Sequence, residues 1–334
     1  MMSIRGLLKN LFVGDVTING SFNARDAKPY MANNNIMFGY QALNSATTAN
    51  GNVAHGYQSM YSATTAYNNV AVGYCSLYSA TTGGSNIAVG VNAMRFLTTG
   101  SNNTATGYNA ARLTTTGQNN TAIGYAALYT NTTYNNNTAV GRSAMELTDG
   151  YNNSSALGYT AAVTGSNQVQ LGNSSTTTYA YGAVQNRSDA RDKADIVDTD
   201  LGLEFINALR PVKYRWDYRE DYANDLFQSL NPDDFEDDEA YRAAVIQQKA
   251  ARNAFFTNPV KDGSKKRTRY HQGLIAQEVK EVLDDFGVDW AGYQDHSHNG
   301  GMDVKSVGYS ELIPPLIKAI QTLSARLAVL EAMS

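Results

Sequence analysis

"NNTAIGYAALYTNTTYNNNTAVG", Asn119 to Gly141, contains its own pattern twice: Asn-Thr-Ala-x-Gly stands at 120–124 and again at 137–141. The interval is 17 residues, and it extends far beyond this stretch. Glycines stand at 39, 56, 73, 90, 107, 124, 141 and 158. Two positions before each is an alanine, Met37 excepted, and four before each is an asparagine until Ser154 ends the row. Tyrosine usually follows the glycine, alanine or serine stands three positions after it, and leucine or methionine usually comes next.

A fixed short period of this kind predicts a solenoid with one coil per repeat. The units are too short for helical pairs, and Asn, Thr, Gly and β-branched residues favour short strands and turns. Glycine at one station predicts positive φ or close backbone approach in every coil. The asparagine row predicts an amide ladder passed from coil to coil. Eight coils at about 4.8 Å each make a rod of about 40 Å. The inward positions are expected to be Ala, Ser and Val, which bury too little apolar area to offset the entropy of ordering the chain. A lone monomeric β-helix is therefore the weaker expectation. Three chains, burying their Leu/Met and Tyr positions against each other, are the stronger one.

The repeat, and "TGSNQVQLGN" (Thr164 to Asn173) after it, resemble the left-handed β-roll heads of trimeric autotransporter adhesins and of many phage tail fibres. The resemblance covers about residues 33–173. An autotransporter also needs a signal peptide and a membrane-barrel anchor. "LLKNLFV" (Leu7 to Val13) is too short and interrupted for the first, so a phage fibre fits better.

Charge divides the chain. Asp15, Asp26, Glu146 and Asp149 are the only acids before Ser188; the rest of the 30 lie beyond it. The net charge of −4 points to neither nucleic acid nor an anionic membrane, and no apolar run suggests membrane insertion. The single cysteine, Cys75, excludes an internal disulfide framework and suits synthesis in a reducing cytoplasm.

The charged half carries ordinary globular signals. Asp200 is expected to cap a helix through Ala208 or Leu209, stopped by Pro211, and "VKYRW" (Val212 to Trp216) to form a strand. Residues 217–262 read as an acidic helical excursion into solvent, and 271–286 as strand, turn and helix. Ile313, Leu316, Ile320, Leu323, Leu327 and Leu330 step by threes and fours, a heptad seam that joins copies of the chain or else packs on its own domain.

Ser188-Asp189-Ala190-Arg191-Asp192-Lys193, then Gly273-Leu274-Ile275-Ala276-Gln277-Glu278-Val279, then the seam, closely resemble the intramolecular chaperone auto-processing domain at the C-termini of phage tailspikes and fibres. The resemblance implies a domain that trimerises, guides the upstream β-structure and cuts itself off at Arg187–Ser188. It makes Ser188 the nucleophile and Lys193 its base, with Asp189, Arg191 and Gln277 as supporting motif residues. A serine hydroxyl needs a proton acceptor to become nucleophilic, and a neutral lysine can serve. Burial or neighbouring cations, Arg191 among them, would favour that neutral form unless Arg191 simply holds an aspartate.

The expected organisation is thus a virion-attachment segment at 1–32, a mainly β trimeric left-handed parallel β-roll at 33–163, and a neck or distal tip at 164–187. An α+β chaperone domain at 188–309 and a coiled-coil helix at 310–334 follow. The expected function is a host-adhesion tail fibre, virion-bound and assembled in the host cytoplasm. Its expected enzymology is one turnover of Ser-Lys self-cleavage, with no external substrate. The alternatives are a fibre that keeps its chaperone uncut, and a glycan-degrading tailspike. The second would need paired carboxylates, and the rod offers only Glu146 and Asp149, which suit a turn better. Tyr179 and Tyr181 are the candidates for stacking on a receptor glycan at the tip. Expected partners are two sister chains, other tail proteins at the N-terminus and a host glycan. No cofactor or metal is expected; His296-Ser297-His298 beside Asn299-Gly300-Gly301 reads as a plain exposed loop, with a metal bound between chains as the rival reading.

Overall fold

The computed structural model describes residues 34–147, 150–181, 188–228, 230, 234–297 and 302–333. The expected attachment segment, Asp149, Arg187 and His298 lie outside the described residues.

Each repeat contributes one three-residue strand ending just before its glycine. These are β1 (Ile36–Phe38), β2 (Val53–His55), β3 (Val70–Val72), β4 (Ile87–Val89), β5 (Thr104–Thr106), β6 (Thr121–Ile123), β7 (Thr138–Val140) and β8 (Ser155–Leu157). A ninth, β9 (Val169–Leu171), closes the stack. All pair in parallel in chain order, Ala54 on Ala71 on Ala88 and so on, and only the last step shortens to 14 residues, Ser155 on Val169. The result is a β-solenoid with coils of about 17 residues.

The repeat glycines hold φ between +123° and +145°, a region closed to side chains, and from Gly39 to Gly141 each backbone lies against the glycine carbonyl of the next coil. The residues two and four positions on, such as Asn109 and Ala111, are also left-handed. The asparagines form the expected ladder within the wall. Asn69 Nδ2 donates to Asn52 Oδ1 at 3.1 Å and to the Gly83 carbonyl at 2.9 Å, while the Asn69 N–H takes the same Asn52 oxygen at 2.9 Å. Both amide protons and the oxygen are used, which is what allows a polar group to sit at 0 % exposure. Ser154 ends the asparagine row: its N–H donates to Asn137 Oδ1, its hydroxyl donates to the Gly165 carbonyl, and its Oγ accepts the Gln168 N–H at 3.4 Å.

One expectation fails here. Met60, Leu77, Met94, Leu128 and Met145, four positions after the glycine, are buried inside their own coil and not available to sister chains. With Leu97, Val163 and the alanine column they give a single chain a continuous core. The left-handed stations break the two-residue alternation of a strand, and the side chain at the second of them is carried inward.

The outward face is apolar. Ile36, Phe38, Ile87, Val89, Ile123 and Leu157 are exposed on the strands, and tyrosines 40, 57, 74, 108, 125 and 159 are exposed beside them. Tyr57 and Tyr74 stack at 5.2 Å, Tyr108 and Tyr125 at 5.4 Å. Where the tyrosine is replaced by Arg142, its guanidinium lies 5.3 and 5.6 Å from the rings of Tyr125 and Tyr159, so the column continues by cation–π contact.

Beyond Ser188 the chain is an α+β region. Helix α1 (Leu203–Ala208) is followed by strand β10 (Val212–Arg215) and helices α2 (Arg219–Leu226) and α3 (Asp238–Thr257). Then come β11 (Tyr270–Gly273), α4 (Ala276–Phe286), β12 (Tyr293–Asp295), β13 (Lys305–Val307) and α5 (Ile313–Met333). Strands β10 and β11 pair antiparallel, as do β12 and β13. Leu201, Phe205, Val279, Leu283, Trp290 and Leu312 form the core. Asp200 is not the helix cap; Gly202 occupies that place without a side-chain bond.

Helix α5 buries Pro315 and Ala319 and packs against α1, while Ile313, Leu316, Ile320, Leu323, Leu327 and Leu330 stay exposed. The heptad seam thus faces away from its own domain. By length and mean hydropathy the segment 309–333 also passes as a weak membrane-span candidate. Its stepped apolar residues, interleaved with Lys318, Arg326 and Glu331, fit a helical interface better.

Candidate processing site and its docking surface

Ser188 and Lys193 are held together by a local fold. Asp189 caps a short 3-10 turn, Ala190–Asp192, its Oδ1 accepting the Arg191 N–H at 2.9 Å. The turn closes when the Lys193 N–H reaches the Ala190 carbonyl, and this brings Lys193 Nζ to 2.8 Å from Ser188 Oγ. The spacing of five residues is therefore a structural requirement of the turn. Arg191 reaches back to the same aspartate, its Nε 3.0 Å from Oδ1, which lowers the titration of Asp189 and raises that of Arg191. Of the two roles open to Arg191, it takes the structural one.

Ser188, Arg191 and Lys193 are all exposed, and Asp189 is half-buried. A lysine in water carries a proton and donates to the hydroxyl; a desolvated lysine can accept one instead. The pair is thus positioned but open to solvent in the single chain. Gln277 stands exposed on the first turn of α4, and among the described residues no hydrogen bond joins it to Ser188 or Lys193. Its neighbour Glu278 pairs with Arg210. Arg187, on which the expected cut falls, lies outside the described residues. So does Asp149, so the Glu146/Asp149 carboxylate pair is not placed.

The segment 217–262 is helical as expected but is no solvated excursion. Helix α3 lies on the solenoid, with Tyr241 and Val245 buried against Leu113, Ala126 and Tyr129 and flanked by Phe96, Leu230 and Phe235. The Tyr129 and Tyr241 hydroxyls are hydrogen-bonded, and burial pushes both phenols up. Arg112, 1 % exposed, lies 5.0 Å from the Tyr241 ring, and Arg242 lies 4.9 Å from Phe96. The sequence did contain the signal: Phe96 and Leu113 replace the serines of the first three coils at that station, Ser45, Ser62 and Ser79.

A second contact caps the end of the rod. The Met302 N–H donates to the Thr164 carbonyl at 2.8 Å, and Ser174 Oγ donates to Asp221 at 2.7 Å. His296 is not an exposed loop residue. Its Nδ1 meets Thr164 Oγ1 at 2.6 Å and Gln168 Nε2 at 3.1 Å, and its Nε2 meets Ser306 Oγ at 3.1 Å. Gln168 Oε1 takes the N–H groups of Thr164 and Gly165, so its amide nitrogen faces the ring and donates. Nδ1 is then the acceptor, and the proton sits on Nε2. Among the described residues no group of three or more His, Cys, Asp or Glu could hold a metal ion. Tyr179 and Tyr181 are fully exposed beyond this cap.

Burial lowers the His296 titration, with Lys305 adding to the effect and Asp295 opposing it. A folded-state value below the ordinary one means that the unfolded chain binds the proton more readily. The capping contact is therefore at full strength above about pH 6.5 and weakens as pH falls below it. Protonation also turns Nδ1 into a donor facing the Gln168 N–H. Amide exchange at Met302, corrected for its intrinsic pH dependence, should rise severalfold between about pH 7.5 and about 5.5. A His296→Gln chain should lose that dependence. A flat profile in the unaltered chain would falsify the reading.

Residues 188–249 match the family model described as chaperone of endosialidase. The match opens at Ser188 and includes the first half of α3. A search of curated proteins and a search of solved structures each returned no match. With the β-solenoid, the family match fits a phage tail fibre carrying a C-terminal intramolecular chaperone.

Proposed function

We propose that the chain is a host-adhesion fibre subunit that assembles as a homotrimer of left-handed β-rolls under the direction of its C-terminal domain, which then cuts itself away at Arg187–Ser188. The observation that carries this reading is the exposed heptad seam of α5, anchored on its other face by Pro315 and Ala319. An apolar stripe held rigidly away from its own core is a surface for sister copies. The exposed strand face and tyrosine column offer the rod a second contact between copies, replacing the buried Leu/Met column in that role.

Cleavage follows association in this scheme. Sister chains exclude water from Ser188 and Lys193, and the neutral amine takes the Oγ proton. Oγ attacks the Arg187 carbonyl carbon, the C–N bond breaks, and Lys193 passes the proton to the departing Ser188 nitrogen. Water then hydrolyses the ester, freeing the Arg187 carboxylate and restoring the Ser188 hydroxyl. Departure of the domain uncovers Thr164 and Gln168, and with Tyr179 and Tyr181 these form the tip offered to a surface glycan. The segment 1–32 attaches to the virion.

Sedimentation equilibrium of the full chain carrying Ser188→Ala should give the mass of three chains. Ile320→Glu with Leu327→Glu should reduce it to one, since two carboxylates in each helix then face the seam. A monomer before any substitution sinks the proposal.

A further inference from the structure

Helix α3 is tied to the solenoid at two heights. Near its N-terminal end Tyr241, Arg242 and Val245 hold Phe96, Arg112, Leu113 and Tyr129, residues of the coils numbered by Gly90, Gly107 and Gly124. Near its C-terminal end Phe256 packs with Met302, whose N–H is bonded to Thr164 at the end of the rod. A 20-residue helix is about 30 Å long, the height of about six coils.

We infer that α3 is a ruler that verifies the stacking of the last coils. The surface it reads is the set of departures from the repeat. Elsewhere the stations five and six after the glycine carry Asn44-Ser45, Tyr61-Ser62 and Tyr78-Ser79; under the helix they carry Arg95-Phe96, Arg112-Leu113 and Tyr129-Thr130. If one coil between the landmark and the capped end is left unstacked, the helix faces a different trio. Tyr241 then meets Arg95 where Arg112 belongs, and Val245 loses Leu113 and Tyr129. Nearly identical repeats cannot otherwise tell one stacking from its neighbour, because every internal ladder bond is reproduced after a one-coil slip. That this checking serves assembly rests on the chaperone reading above; that the helix is register-specific does not.

The test uses the full chain with Ser188→Ala, so that cleavage plays no part. One variant receives a second copy of residues 51–67 directly after Tyr67, upstream of the landmark. Another receives the same 17 residues after Asn135, where they are in phase with the repeat and lie between landmark and cap. Amide exchange across α3 should match the parent in the first and be about tenfold faster or more in the second. Re-creating the Phe, Arg-Leu and Tyr set one coil nearer the cap should restore protection in the second variant. Equal protection in both insertions overturns the ruler, as does a failure of the re-created set in a chain whose strands remain protected. Refolding yield of the trimer separates the two claims: a register-specific helix with unchanged yield in every variant removes its part in assembly.

Discussion

On a denaturing gel the assembled chain should run as two pieces, 1–187 and 188–334, and Ser188→Ala should leave it whole. The argument is local. Ser188 Oγ has Lys193 Nζ as its side-chain partner at 2.8 Å, and the turn that fixes them depends on the Asp189 carboxylate at its N-cap. Alanine removes the nucleophile and with it the whole reaction. Lys193→Met keeps the length of the side chain but removes the base; loss of general-base catalysis should slow cutting by about 10² to 10⁴. Lys193→Arg should be nearly as poor, since a guanidinium does not give up its proton. Asp189→Ala acts differently: it loosens the turn and slows cutting without abolishing it, and it separates positioning from chemistry. An uncut parent trimer retains its chaperone, and the Ser-Lys pair is then structural.

The period of 17 made the strands, the glycine station and the asparagine ladder legible in the sequence, because each is a backbone demand repeated without change. What lies inside a coil was not legible. The inward-outward rule for strands fails where left-handed residues intervene, and Gln58, Met60, Cys75 and Leu77 are such residues. Methionines and leucines expected between chains are consequently in the core. In the charged half, β10, β11, α4 and the α5 seam followed from ordinary periodicity. The docking of α3 did not. Tyr241 and Val245 lie on a helix of mixed composition, alanines and Ile246 beside Glu239, Arg242, Gln247 and Lys249, in an acidic segment whose charge assigns it to solvent. Its partners were visible only as irregularities in the repeat, and an irregularity has meaning only once something is found lying on it. The processing pair came from resemblance to a motif; the structure adds the reason for its spacing.

Replacing Gly107 by alanine should abolish the ordered rod, and replacing Gly287 should barely register. Both glycines have positive φ, so a propensity argument treats them alike. Their surroundings separate them. Gly287 ends α4 in the left-handed region at φ +66°, with open space where a Cβ would go; alanine there costs about 1 kcal/mol. Gly107 sits at φ +139°, far from the left-handed helical well that an alanine tolerates, and its Cβ would stand 2.6 Å from the Gly124 carbonyl carbon, with the oxygen closer still. Neither atom can yield, since the Gly107 N–H is bonded to Val89 and the Gly124 N–H to Thr106, each at 2.8 Å. Strain and overlap together cost about 4 kcal/mol or more. Relief requires the coils above and below to part, which also breaks the Asn86–Asn103 and Asn103–Asn120 rungs. In a quasi-one-dimensional stack such a break divides the array, because each coil is stabilised only by its neighbours. Amide exchange should therefore rise at β4, β5 and β6 in Gly107→Ala and remain at parent levels throughout the solenoid in Gly287→Ala. Matching protection of the two rods would mean that the glycine column is dispensable.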